Sequence, residues 1–142
     1  MFKKKDRTKI AIIETFNSQV SNILKLIKKY VPKNDDINHI KRLIKISNEI
    51  NAIEVLEKCE DKFWENKDNI LEKNIEFFKK QPYEQDLDDD EYKTLNIRII
   101  KLIRDTYDLI DDNDKNLLWC KLHIMLNCII NFKLNKGNNS LN

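Results

Sequence analysis

The 142-residue sequence contains a single glycine, Gly137, close to its C-terminal end. Phosphate-binding loops and dinucleotide-binding motifs need several glycines, because their backbone approaches the phosphates closely or adopts positive φ angles. The absence of glycine from residues 1–136 excludes P-loop, Rossmann and kinase-type loops. The two prolines, Pro32 and Pro82, are also too few for the many turns of a multi-stranded sheet. We therefore expect an all-α protein.

The sequence has few cysteines and no long apolar run. Cys59, Cys120 and Cys128 are odd in number and lie in apolar helical patterns, which favours reduced, buried thiols over a disulfide framework. No stretch approaches the ~20 apolar residues that span a bilayer. No signal-peptide core follows the basic N-terminus. We expect an intracellular protein without a membrane span.

Residues that could carry chemistry are also scarce. His39 is expected near the surface, and His123 is expected to be hydrogen-bonded at the core or its boundary. The spacings of Cys120, His123 and Cys128 do not match a structural zinc site, which also needs a second ligand pair. The acidic segment 84–91 lacks the frame of a calcium-binding loop. A Cys120–His123 nucleophile pair is one helical turn apart, but nothing in the sequence activates it. We predict no metal, no cofactor and no catalytic residue.

Apolar residues recur at spacings of three and four along most of the chain, which predicts amphipathic helices. The predicted helices cover 8–31, about 37–48, 51–72 with an interruption at 65–69, a short helix that ends before Pro82, 91–110, and a last helix after 111–114. Residues 83–90 are predicted to form a loop. The last helix is apolar nearly all round, so we expect it to be central and mostly buried.

These elements predict one compact bundle of about five or six helices over residues 8–134. A separate basic segment, 1–7, precedes the bundle. Residues 135–142 are rich in Asn and contain the glycine, which predicts a disordered tail.

The formal net charge of +2 conceals a strong segregation of charge. Residues 1–50 carry 12 basic and 5 acidic side chains, 84–114 carry 4 and 11, and 115–142 carry 4 and none. The basic N-terminal region predicts contact with nucleic acid or an acidic partner. Solvated helix faces or internal pairing are the alternatives, and the pI of about 8.3 is below that of a dedicated nucleic-acid domain. The candidate nucleic-acid residues are Lys3, Lys4, Lys5, Arg7, Lys41, Arg42 and Lys45.

Aromatic residues concentrate in the middle of the chain. We predict Trp64, Phe78 and Tyr83 as contact residues for a protein partner, because exposed aromatic side chains anchor interfaces. In the alternative interpretation, Trp64 and Phe78 cover the core between the third and fourth helices.

A set of core and capping positions recurs in a recognisable order along the chain: Phe16-Asn17, Val31-Pro32, Asp36-Ile37, Ile75-Glu76-Phe77-Phe78 and Leu118-Trp119-Cys120-Lys121-Leu122. In this order the chain resembles a family of small all-helical proteins encoded by large nucleocytoplasmic DNA viruses. The resemblance spans residues 16–132. The chain departs from the family at Asn51-Ala52, where an Asn-Pro is typical. The resemblance implies a viral helical bundle and brings no assigned catalytic or ligand residue.

The sequence therefore predicts a non-enzymatic interaction or structural protein, of viral origin by the resemblance, that acts through a bundle surface with segregated charge. Nucleic-acid binding by the basic N-terminal region is the main alternative. A viral Bcl-2-like binder of host proteins is a further alternative that rests on size and fold class only. The last alternative is an enzyme of unrecognised type.

Overall fold

The computed structural model describes the backbone of residues 4–87, 90–91 and 93–140, and the side chains of residues 7–87, 90–91 and 93–135. Over these residues the chain forms helices and no strand, which confirms the predicted all-α fold. In chain order they are α1 (Lys4–Tyr30), α2 (Asp35–Ile50), α3 (Glu54–Glu65), α4 (Lys67–Leu71), α5 (Ile75–Lys79), α6 (Tyr83–Asp86), α7 (Leu95–Thr106), a 3₁₀ helix (Tyr107–Leu109) and α8 (Asp112–Ser140).

The two longest helices, α1 and α8, form an antiparallel pair. At one end the Lys29 Nζ lies 2.7 Å from the Asp114 Oδ2, and at the other the Lys9 Nζ lies 5.9 Å from the ring centre of Phe132. Helices α3 and α7 contact each other, and each also contacts both α1 and α2. The bundle therefore has α3 and α7 between α2 and the α1–α8 pair.

The core receives apolar side chains from every long helix. Phe16 of α1 and Phe63 of α3 meet edge to face, with ring centres 6.4 Å apart. Helix α8 supplies one inner face to this core; the sequence predicted a central, mostly buried helix, and 44% of its apolar window is buried. Its buried residues are Leu118, Trp119, Leu122, Met125, Leu126, Cys128, Ile129 and Phe132.

The described residues form eight α-helices, whereas five or six were predicted for the bundle. The difference arises in the middle of the chain, which divides into several short helices. The interruption predicted at 65–69 is confirmed, because α3 ends at Glu65 and α4 begins at Lys67. The predicted loop at 83–90 is wrong in its first part, since Tyr83–Asp86 is helical. Arg104 of α7 holds this short helix in place: its Nη1 donates to the Gln81 carbonyl at 2.8 Å, and its Nη2 pairs with Glu84.

Both predicted boundaries at the chain ends are wrong. Helix α1 begins at Lys4, inside the segment 1–7 that was expected to be separate, so Thr8 lies within the helix and does not cap it. Helix α8 continues to Ser140 through most of the predicted disordered tail. Residues 1–3 and 141–142 lie outside the described residues.

Helix α7 is shorter than the helix predicted over 91–110. It begins at Leu95, after Thr94, whose hydroxyl lies 3.4 Å from the Glu91 carbonyl. It ends at Thr106, whose hydroxyl donates to the Leu102 carbonyl at 2.7 Å. Such back-bonding competes with the regular helical ladder, and here the chain continues as a 3₁₀ turn.

Residues Asp112–Asn135 are long and apolar enough to cross a membrane by length and composition, contrary to the expectation from the sequence. This is weak evidence for a span, because the core helix of a bundle passes the same test. Within the apolar window, 44% of the helix is buried in the bundle, where it forms the inner face of α8.

Candidate interaction surface

Trp64 lies in the last turn of α3 and keeps 39% of its surface exposed. Two lysine ammonium groups lie close to its ring: the Lys67 Nζ is 4.8 Å from the ring centre, and the Lys133 Nζ is 5.0 Å from it. Both distances are within the range of cation–π attraction. We call Trp64, Lys67 and Lys133 the Trp64 surface.

A buried carboxylate fixes one side of the Trp64 surface. The Lys133 Nζ lies 3.3 Å from the Glu60 Oε1, and Glu60 is one helical turn before Trp64 on α3. Glu60 is itself buried, so this ion pair connects α8 to α3 at a position shielded from solvent. The ring of Trp64, on α3, therefore contacts lysines of α4 and α8, and binding a partner would require little additional ordering of this side chain.

Phe78 and Tyr83 do not share this exposure. Phe78 is 7% exposed and packs against Phe77 and Trp119, with ring centres 5.3 and 6.5 Å away. Tyr83 is 2% exposed and lies under the guanidinium of Arg104, which is 5.2 Å from the ring centre. The expectation that these two rings are available to a partner is corrected, because both are taken up by packing within the chain. Of the three predicted contact residues, Trp64 alone is exposed.

The candidate nucleic-acid residues fall into two groups. Lys3 lies outside the described residues, and Lys4 and Lys5 are described by their backbone in α1 only. Arg7 is exposed at the start of α1. On α2, Arg42 and Lys45 are exposed and Lys41 is half-buried.

These two basic groups are far apart. The Asn17 side chain donates to the Ala52 carbonyl at 2.9 Å, so the end of α2 lies beside the middle of α1. From this point Arg7 is roughly 15 Å along α1 in one direction, and Arg42 is roughly 15 Å along the chain of α2 in the other. The structure does not combine them into one patch. Instead, the start of α1 lies beside the basic last part of α8, where Lys9 contacts Phe132.

The two histidines and three cysteines offer no activated nucleophile among their described contacts. The His123 Nε2 is 2.8 Å from the Ile70 carbonyl, which confirms the expected hydrogen-bonded histidine at the core boundary. Burial raises the pKa of Cys59 to about 12 and also raises the pKa of Cys128. The expectation that all three thiols are buried is wrong for Cys120, which is exposed on the outer side of α8. Within the described residues, no group of three His, Cys, Asp or Glu side chains is arranged to hold a metal ion.

Sequence reasoning missed the two lysines of the Trp64 surface. Lys67 follows Trp64 by three residues, and this spacing is a readable signal for a shared helical face. Lys133 is 69 positions away in the sequence, so only the packing of α8 against α3 reveals it.

No protein-family model, curated protein or solved structure matches this chain. The class that its fold defines is an all-α helical bundle.

Proposed function

We propose that this chain is a non-enzymatic interaction protein that binds a protein partner through the Trp64 surface. The observation that supports the proposal is an exposed indole held between two lysines that come from different helices. Tryptophan is among the residues most enriched where binding energy concentrates in protein interfaces. A preorganised aromatic side chain also loses little conformational entropy on binding.

The chemistry of the Trp64 surface suggests what its partner presents. The indole edge fits an apolar pocket, and the ammonium groups of Lys67 and Lys133 favour carboxylates at the rim of that pocket. Glu60 already compensates Lys133 from below. The partner's carboxylates would therefore meet Lys67 first, and we expect them to affect the association rate more than the affinity.

The viral origin and the intracellular location belong to the same proposal. The first is supported by the resemblance carried by residues 16–132, and the second by three cysteines that form no disulfide. The Bcl-2-like alternative stays a prediction.

The Trp64 proposal is tested with Trp64→Ala and the matched control Leu109→Ala, which removes another exposed apolar side chain. Each purified variant captures partners from cells that contain the native protein, and the affinity for the captured partner is then measured by calorimetry. We expect Trp64→Ala to weaken binding by about 30-fold or more, as a central interface tryptophan does. Leu109→Ala should bind like the wild type, and both variants should keep the wild-type helical content.

Equal affinity of Trp64→Ala and the wild type would overturn the proposal. So would a monodisperse monomer that recovers no stoichiometric partner. Lys67→Gln separates the two parts of the surface, because we expect it to reduce the association rate at low salt while the complex still forms.

Nucleic-acid binding is the second candidate, and one observation favours it: the basic start of α1 lies beside the basic last part of α8. The test is the affinity for a random duplex at low and raised salt, for the wild type and for Arg7→Gln/Lys9→Gln. Binding should weaken steeply with salt, and the double variant should have a smaller salt slope. No salt-sensitive binding at low ionic strength would remove this candidate.

A further inference from the structure

We propose that the outer face of the α1–α8 pair binds a second copy of this chain, with the two copies antiparallel across a twofold axis. Between α1 and α8 this face contains an open groove of about 320 Å³. The residues that line the groove share a lack of charge: they are Thr8, Ala11, Ile12, Thr15, Ile124, Asn127, Cys128 and Asn131. Charged residues make up 35% of the sequence, so a groove lined without charge is unusual. None of these residues belongs to the Trp64 surface, so the inference does not depend on the proposed function.

The outer side of α8 has the residue spacing of a coiled-coil helix. Six residues, which we call the α8 seam, alternate steps of three and four: they are Leu117, Cys120, Ile124, Asn127, Asn131 and Leu134. Ile124 is half-buried and the other five are exposed. Because 44% of the apolar window of α8 is buried, more of this helix is apolar than one copy of the chain covers. A repeat of 3.5 residues matches the side-chain spacing of a facing helix, so the seam fits a helix.

An antiparallel α8 from a second copy fits the α8 seam in register. The midpoint of the seam lies between Met125 and Leu126, and a twofold axis at this point pairs each a position with a d position of the other copy. Leu117 then faces the partner's Leu134, and the two Asn127 side chains lie about 4.5 Å apart along the helix axis. An amide both donates and accepts hydrogen bonds, so two copies of Asn127 are complementary to each other.

An uncharged stripe on α1 is centred close to the same level. Its residues are Thr8, Ala11, Thr15, Ser18 and Asn22, all exposed except the half-buried Asn22. Because Lys9 contacts Phe132 and Lys29 contacts Asp114, the middle of this stripe lies near the middle of the α8 seam. One twofold axis can therefore pair α1 with α1 and α8 with α8, which makes an interface of four helices.

The charges at the two ends of this face favour antiparallel over parallel copies. The start of α1 is basic, and at the opposite end of the pair Asp111 and Asp112 are exposed at the start of α8. Of the lysines near the end of α1, Lys29 is paired with a carboxylate of α8, and Lys25 and Lys28 lie on the side of α1 away from α8. Antiparallel copies place the basic start of α1 opposite these acidic residues of the partner, whereas parallel copies would bring the two basic starts together.

The size of the face predicts a weak dimer. The α8 seam spans about 25 Å, and two neighbouring helices are roughly 20 Å wide, which gives ~500 Å² per copy. The total of ~1,000 Å² is at the lower limit for a specific interface. The two asparagines of the seam lower its stability while they fix its register. We therefore expect monomers at low micromolar concentration and dimers well above it.

Self-association is measured by analytical ultracentrifugation of the full chain from about 1 μM to 1 mM. The wild type should pass from monomer to dimer across this range. Asn127→Glu places two carboxylates close together across the twofold axis and should weaken the dimer at least tenfold. An equimolar mixture of Asn127→Glu and Asn127→Lys should restore the dimer, since opposite charges then face each other. Asn48→Glu, which alters an exposed asparagine on α2, is the matched control and should dimerise like the wild type.

Cysteine crosslinking with a short bismaleimide measures the orientation of the two copies. In antiparallel copies Cys120 lies opposite the partner's Asn131, and the two Cys120 thiols are about 16 Å apart along the helix axis. Asn131→Cys should therefore give a covalent dimer. The wild type and the double variant Cys120→Ser/Asn131→Cys should not, because each leaves a single exposed seam cysteine far from its copy.

The proposal is overturned if the wild type stays monomeric at the highest concentration, or if Asn127→Glu dimerises like the wild type. Crosslinking of the wild type through Cys120 would also overturn it, because the copies would then be parallel. A lipid surface is the alternative occupant of an apolar helix face. Flotation of the wild type with vesicles of phosphatidylcholine and phosphatidylserine, without self-association in solution, would assign the face to a membrane and reject the second copy.

Discussion

At the scale of single residues, Lys73 occupies a conformation that usually belongs to glycine. Its φ angle is 56°, and among the described residues it is the only residue other than glycine with a positive φ. It follows the end of α4, where its amide donates to the Ile70 carbonyl at 3.1 Å and the Asn74 amide donates to the Asn69 carbonyl at 2.9 Å. This pair of hydrogen bonds defines a Schellman motif, which places a left-handed residue directly after the helix.

Replacing Lys73 with glycine should stabilise the fold. A side chain with a Cβ costs about 1–2 kcal/mol in the left-handed region, and part of that gain is offset by the larger entropy of glycine in the unfolded chain. We expect Lys73→Gly to raise the free energy of unfolding by about 0.5–1 kcal/mol, measured by urea denaturation. Lys73→Ala keeps the Cβ and should give no increase. A decrease with Lys73→Gly would mean that the Lys73 side chain contributes contacts of its own.

Residue-scale features of the candidate surface were only partly readable from the sequence. The pattern could single out Trp64 as an exposed aromatic residue, because an aromatic next to a core position points away from the core by about 100°. The same argument fails for Phe78. It is Phe78 that packs against Trp119, and Phe77 that is half-buried. Neighbouring aromatics on a five-residue helix cannot be assigned to a face without knowing which helices cover it.

At the scale of the elements, α8 has one face in the core and one face in solvent. Leu122 and Ile129 are buried among α1, α3 and α4, whereas Leu134, 60% exposed, lies on the outer side. Helix α8 therefore has apolar residues on both faces, but only the inner face is covered by other helices. Its outer side combines exposed Leu117 and Cys120 with asparagines.

Truncation of the inner face should destabilise the protein much more than truncation of the outer face. We expect Leu122→Ala or Ile129→Ala to lower the free energy of unfolding by about 2–5 kcal/mol, because each removes a buried side chain and leaves a cavity. Leu134→Ala should change it by less than about 0.5 kcal/mol. Chemical denaturation measures the free energy of unfolding of the three variants. Equally small changes at all three positions would mean that α8 does not pack as described.

The helical elements were predictable, and their ends were not. The apolar repeats identified α1, α2, α3, α7 and α8, because each long helix buries a continuous stripe. The ends depend on contacts that are distant in sequence. Helix α1 begins at Lys4, α8 ends at Ser140, and the short helix Tyr83–Asp86 is held by Arg104 from α7. Local composition carries none of this information.

At the scale of the whole molecule, ion pairs connect distant parts of the chain. Hydrogen bonds from Lys29 and Tyr30 hold the pKa of Asp114 below its usual value of 3.8. A hydrogen bond from Arg104 lowers the pKa of Glu84 from its usual 4.5. Burial raises the pKa of Asp105, but the hydrogen bonds from Lys101 and Arg104 together outweigh it and lower the value. Asp114 thus links α8 to α1 and Glu84 links α6 to α7, whereas Asp105 pairs within α7.

Acid should therefore weaken the fold in a definite pH range. A carboxylate with a lowered pKa in the folded state adds stability above its unfolded pKa, and that stability is lost as the pH falls through the folded value. We expect the free energy of unfolding to be constant near neutrality and to decline below about pH 5. Urea denaturation at a series of pH values measures this decline.

Asp114→Asn provides the test of the assignment. It removes one acid-sensitive carboxylate, so its stability should depend less on pH between 7 and 3 than that of the wild type. Glu14→Gln, which alters an exposed carboxylate on α1, should keep the wild-type pH dependence. A pH dependence of Asp114→Asn that equals the wild type would exclude this ion pair as a source of acid sensitivity.

The antiparallel pairing of α1 and α8 determines when the bundle can finish folding during synthesis. Tyr30 and Asp114 are 84 positions apart, so α1 meets α8, its main neighbour, only after the 84 residues that follow Tyr30 have been synthesised. Until then, α3 and α7 are the main helices that contact α1 among the described residues. Nascent chains stalled before residue 112 should accordingly expose the apolar stripe of α1 and become compact only once α8 has emerged.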